Sequence, residues 1–137
     1  MPITYARENT LSAQDYIACL GATTLGEARP LGNPERVTQM LAGTDLLVTA
    51  RDETGALLGL FRAVTDWHWV CYCIDLVVVG GQQGQGIGKS LLDTAAEILG
   101  PRVGIVLLSM PEAEGFYRHI GMAQPMHAFM RPRTDRS

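Results

Sequence analysis

Residues 80–90, GGQQGQGIGKS, lie between the apolar run CIDLVVV and the helical run LLDTAAEILG. A glycine-rich loop between a strand and a helix is suited to a phosphate. Free N–H groups at the helix N-terminus converge on an anion, and the helix dipole favours negative charge there. Gly86 and Gly88 carry no side chain to block a diphosphate, and Lys89 either adds positive charge or faces solvent. Spacing decides whose phosphate it is. A nucleoside-triphosphate loop needs G-x-x-x-x-G-K-[ST]; Gly88, Lys89 and Ser90 supply its end, but Gln83 stands at the first glycine position. A dinucleotide loop needs G-x-G-x-x-G. Starting at Gly84 the last position holds Lys89, and starting at Gly86 it holds Leu91.

Other residues invite chemistry less directly. Asp75 interrupts an apolar strand, where an unpaired charge is costly to bury. Three readings stay open for it: a general base acting directly or through water, a counter-charge for an incoming ammonium, or an aspartate hydrogen-bonded to backbone at a strand irregularity. Asp66, Trp67 and Trp69, with His68 among them, form either a box for a cationic or aromatic acceptor or a hairpin tip covering a sheet edge. Cys19, Cys71 and Cys73 have no CxxC spacing, and no histidine pair has metal-ligand spacing, so no metal is expected. None of the cysteines has an evident base partner, which argues against a covalent cysteine intermediate.

These groups need elements to position them. The 137 residues suit a single domain, 1–137, of globular composition. The net charge of −3 gives no general attraction to nucleic acid. No apolar run approaches the roughly 20 residues that cross a bilayer, so no membrane partner is expected. An odd cysteine count without a secretory signal reads as reduced thiols in a cytoplasmic protein. ITYARE predicts a first strand, and Ser12 caps a helix over AQDYIACLGATTL. Asn33 and Pro34 open a second helix, NPERVTQML. DLLVTAR, ALLGLFRAVTD and VCYCIDLVVV follow as strands. Ile87, Leu91, Leu92, Ala95, Ala96 and Leu99 then make the apolar stripe of a third helix. VGIVLLSM reads as a strand, PEAEGFYRHIG as a helix and HAFMRP as a last strand. An antiparallel meander beside strand–helix–strand units implies an α/β layered domain with a mixed sheet.

Gln83, Gly84, Gln85, Gly86, Ile87 and Gly88 match the pattern [Q/R]-x-x-G-x-[G/A]. This resembles the pyrophosphate loop of the GNAT superfamily of N-acetyltransferases, which bind acetyl-coenzyme A. The resemblance runs over residues 57–121 and includes EGFYRHIGM, which looks like the family's FYxxxGF segment. It implies an α/β (α+β) fold with a mixed, mostly antiparallel sheet. Its central strands splay apart, with about four helices around them. It also implies that Gln83 to Lys89 cradle the diphosphate and that Leu76, Val77 and Val78 run beside the pantetheine arm, a backbone amide there polarising the thioester. Tyr117 falls where the family's phenol lies near the coenzyme sulfur, and would donate a proton to the departing thiolate. The alternative for Tyr117 is an amphipathic core tyrosine.

The implied reaction is direct transfer of acetyl from acetyl-coenzyme A to a primary amine of a small molecule or peptide, in a ternary complex. Asp66 and Asp75 tilt the acceptor towards a cation. A non-catalytic acyl-coenzyme A sensor is the rival reading, and a homodimer follows by family analogy. Three positions depart from the family: Gly80 where proline is frequent, Gln83 where arginine is common, and Met110 where asparagine is frequent.

Overall fold

Runs of alternating or continuous apolar residues, punctuated by turn residues, become a mixed sheet in the computed structural model, which describes residues 2–124 and 127–135. Strands β1 (Thr4–Arg7), β2 (Leu46–Arg51), β3 (Leu57–Thr65), β4 (Val70–Val78) and β5 (Gly104–Leu107) lie side by side in that order. Neighbours from β1 to β4 are antiparallel, and β5 joins β4 in parallel. A parallel neighbour requires a crossover, which helix α3 (Ile87–Leu99) provides.

Helices α1 (Ala13–Gly21) and α2 (Pro34–Ala42) start where expected. Ser12 accepts the Asp15 N–H and Asn33 accepts the Arg36 N–H, each satisfying an otherwise orphaned donor. The first helix ends at Gly21, earlier than its sequence pattern suggests, and Thr24–Ala28 forms a separate 3-10 turn. That turn folds tightly against the helix end: a Cβ on Gly26 would stand 2.3 Å from the Leu20 carbonyl oxygen. The last expected helix likewise divides, into a 3-10 turn at Pro111–Ala113 and α4 (Glu114–His119).

The core has two layers. Ile87, Leu91, Leu92, Ala95 and Leu99 of α3 pack on one face of the sheet with Phe61, Cys71 and Cys73. Tyr16, Leu20 and Val37 of α1 and α2 pack on the other with Leu60 and Val77. Strict alternation would put Cys71, Cys73 and Val77 on one face. They divide because the β3–β4 register shifts: Arg62 faces Asp75, but Ala63 faces Cys73, leaving Ile74 as an extra residue. Such a bulge exchanges the two faces for everything after it.

The expected strand HAFMRP, residues 127–132, is not formed. Phe129 and Met130 are 98% and 71% exposed, so the segment buries too little to offset the entropy of ordering it.

Candidate active site

The ladder between β4 and β5 covers only residues 70–73 and 104–107. β4 then continues to Val78, whereas β5 ends at Leu107, so the two strands part. The gap is a cleft of about 180 Å³. Leu76, Val77 and Val78 line it from β4, together with Cys73 and Ile74. Leu107 and Leu108 face them, residues 23–25 form another wall, and Gln83 and Tyr117 also border it. The Val77 side chain is core, as its buried place against α1 and α2 shows; Leu76 and Val78 are partly buried against the α3 layer.

The glycine loop feeds directly into α3. Gly84 and Gly86 have φ of 84° and 77°, the left-handed region that favours glycine. A Cβ on either would meet nothing within 4 Å, so the space above them is open. Gly86 is the N-cap of α3, and no side chain caps this helix. The α3 first turn also lacks an acidic residue, in contrast to Asp15 in α1 and Glu35 in α2. Its leading amides therefore have no side-chain cap. This open, uncapped cradle fits a diphosphate.

Gly88 differs from Gly84 and Gly86 in having a close neighbour. The space above it holds Phe116, whose Cζ would lie 3.0 Å from an added Cβ. Its small size lets α4 pack on α3. Ile87 is buried in the core, and the Gln85 amide bonds Gln82 at 3.1 Å. Lys89 is exposed and pairs with Asp93 at 2.6 Å, one helical turn on. Gly80 donates its N–H to the Ala22 carbonyl at 3.0 Å. Proline has no N–H, so glycine here ties the start of the loop to the end of α1.

Tyr117 reaches the cleft from α4, its ring edge-on to Phe116 with centroids 5.1 Å apart. Burial pushes its phenol up to about 12, and the nearby Cys73 adds to the shift. It keeps its proton throughout the neutral range. Burial and the Asp75 charge likewise push the Cys73 thiol strongly upward, leaving a poor nucleophile.

Asp75 is fully buried and already engaged. Its Oδ1 accepts from Arg29 Nε at 2.7 Å, and its Oδ2 accepts from Arg62 Nε at 2.5 Å and from the Tyr16 hydroxyl at 2.7 Å. Two guanidinium groups and a phenol occupy both oxygens, which leaves neither free to act as a base or to meet an ammonium. The reading that fits is an aspartate at a strand irregularity, held by side chains instead of backbone. Arg29, Arg62 and Tyr16 were not picked out in the sequence. Arg29 and Asp75 are 46 residues apart, and nothing local joins them; a charge in an apolar strand signals only that some partner must exist.

The TDWHW stretch forms a hairpin tip. Asp66 Oδ1 accepts the N–H groups of His68, Trp69 and Val70 at 3.0, 2.8 and 3.1 Å, building the turn between β3 and β4. Trp67 packs on the core and under the Arg7 guanidinium, 4.8 Å from its ring centre. Trp69 is 79% exposed. The hairpin adjoins Val70, at the opposite end of β4 from the glycine loop, so Asp66, Trp67 and Trp69 do not line the cleft. Glu112 does, and it is the one carboxylate among the described residues on its walls. Among the described residues no group of three or more His, Cys, Asp or Glu is arranged to hold a metal, and no helix is long and apolar enough to cross a membrane.

Comparison with known proteins places this geometry. The family profile described as Acetyltransferase (GNAT) family matches residues 16–122. No curated protein sequence matches significantly. Among solved structures, the chain is similar to a GNAT family acetyltransferase from Streptococcus pneumoniae, at 23% identity and a TM-score of 0.73, over 98% of this chain and 100% of that one. It is similar to a ribosomal-protein-alanine N-acetyltransferase from Brucella melitensis, at 17% identity and a TM-score of 0.70, over 96% and 100% of the two chains. An aminoglycoside acetyltransferase from an uncultured soil metagenomic sample matches at 18% identity and a TM-score of 0.69, over 98% and 100%. At these identities the likeness is one of fold.

Proposed function

This chain belongs to the GNAT family of acetyltransferases, and from that premise we propose that it transfers acetyl from acetyl-coenzyme A to a primary amine of a small molecule or peptide. The observation that carries the reading is the parting of β4 and β5, with an uncapped helix N-terminus beyond one strand and Tyr117 on the cleft wall. When bound, acetyl-coenzyme A supplies the activated acetyl thioester.

The backbone amides of residues 83–89 would hold its diphosphate, with Gly84 and Gly86 leaving room for close approach. The β4 backbone at Leu76, Val77 and Val78 would line the extended arm. The Tyr117 hydroxyl holds its proton at neutral pH and would deliver it to the leaving sulfur. Thr23, Thr24 and Leu25 close the cleft on a further side, and an amine entering beside them meets Glu112 as the one carboxylate on the walls. Asp75 is paired with two arginines and Asp66 lies away from the cleft, so neither favours a cationic acceptor there, and amino-acid and peptide amines stand equal to polyamines. The base is then water or a group of the acceptor site, not Asp75.

The test is calorimetric titration with coenzyme A, followed by thiol release from acetyl-coenzyme A with a polyamine, an amino-acid amide and a lysine peptide. Binding with amine-dependent release supports the proposal. Binding without release for any amine points to the acyl-coenzyme A sensor, and absence of binding overturns both.

A further inference from the structure

We propose that Arg29 is a positioning residue for the amine side of the cleft, an inference that rests on the acetyl-transfer reading above. One guanidinium spans two walls. Its Nε donates to Asp75 Oδ1 at 2.7 Å, one terminal nitrogen donates to the Ile74 carbonyl at 2.8 Å, and the other to the Ala28 carbonyl at 3.1 Å. Ile74 is the extra residue of the β4 bulge and itself lines the cleft. Ala28 ends the Thr24–Ala28 3-10 turn, whose first residues belong to the 23–25 wall. Arg29 thus straps that wall onto β4 at the point where β4 leaves β5.

The strap acts on the backbone as well as on the wall. The peptide unit is planar and trans, so holding the Ile74 carbonyl also fixes the direction of the Asp75 N–H. The other end of the wall is held independently, by the Gly80 N–H on the Ala22 carbonyl. The 23–28 segment is therefore pinned at two points, one on the glycine loop and one on Arg29.

Neutralising Asp75 does not require Arg29 alone. Arg62, only 5% exposed, and the Tyr16 hydroxyl both stay on the carboxylate if Arg29 is removed. The Arg29 side chain keeps 19% exposure, so its loss should loosen a wall without emptying the core. A lysine there keeps the charge but not the planar fork that serves three acceptors at once.

The experiment compares wild type, Arg29→Met and Arg29→Lys as full chains. Coenzyme A affinity is measured by calorimetry, and backbone hydrogen exchange is followed across residues 22–30 and α3. Steady-state kinetics use whichever of spermidine, glycinamide or a lysine-containing peptide wild type acetylates fastest. The expected result for Arg29→Met is coenzyme A affinity close to wild type and exchange at least about tenfold faster in 22–30, as loss of charge-assisted hydrogen bonds allows. Exchange in α3 should be unchanged. The KM for the amine should rise about tenfold, with the KM for acetyl-coenzyme A unmoved, and Arg29→Lys should recover part of the loss. Unchanged exchange in 22–30, or equal rises in both KM values, overturns the proposal. If wild type binds no coenzyme A, the activity itself falls, and the exchange data alone decide whether Arg29 holds the wall.

Discussion

Tyr117 and Asp75 show how differently two singled-out residues can fare. Tyr117 borders the cleft with a phenol that burial raises to about 12. Tyr117→Phe should lower kcat by about a hundredfold, the scale of a lost proton donor, with coenzyme A affinity nearly unchanged. Because the raised value keeps the phenol protonated through pH 10, the wild-type rate should show no loss centred there. A fall in kcat at pH 10 that Tyr117→Phe lacks would place the ionisation lower and contradict the burial argument. Asp75 carries stability instead. Asp75→Asn leaves two guanidinium groups facing a neutral amide in a buried site, at a cost of about 3–5 kcal/mol. Urea unfolding should show it as a large drop in midpoint; a loss of unfolding free energy below about 1 kcal/mol would mean that the ion pairs contribute little.

At the scale of elements, the decisive features are how α3 begins and how β4 bends. The α3 stripe was evident from spacing, and so was the loop before it, because both are local patterns along one stretch of chain. Gly86→Ala tests that junction. Alanine at φ 77° is strained by roughly 1–2 kcal/mol, and its methyl enters the open space over the cradle. Thermal unfolding should fall by a few degrees and coenzyme A affinity should fall with it. Retained affinity with lowered stability would separate the glycine from the diphosphate. The β4 bulge was not evident, because an extra residue exists only relative to a partner strand; CIDLVVV reads the same with or without it. Two helices were shorter than their patterns for a related reason. Tight turns, at Thr24–Ala28 and at Pro111–Ala113, take over where neighbouring elements are close enough to dictate the path.

At the scale of the whole molecule, stability and the cleft depend on one sheet. Glu8, at the end of β1, bonds Arg51 at 2.8 Å and the Thr49 hydroxyl on β2. The Arg51 hydrogen bond holds its carboxyl below the ordinary glutamate value of 4.5. A depressed folded value means the contribution is complete above about pH 4.5 and is lost as pH falls through the lower folded value. Glu8→Gln should therefore narrow the stability gap from wild type as acid is added, read from urea midpoints between pH 7 and pH 3; a constant gap would show that the charge is immaterial. By itself the sequence determined the order of most elements, the glycine-rich loop between a strand and a helix, and that loop's mismatch with nucleotide motifs, since each is written in neighbouring residues. Only the tertiary structure decided that Asp75 is a buried anchor, that Asp66, Trp67 and Trp69 lie away from the cleft, that Gly88 yields to Phe116, and that HAFMRP stays outside the sheet. Those outcomes depend on which distant groups meet in space, and a buried charge or an aromatic pair takes its role from the partner that folding brings to it.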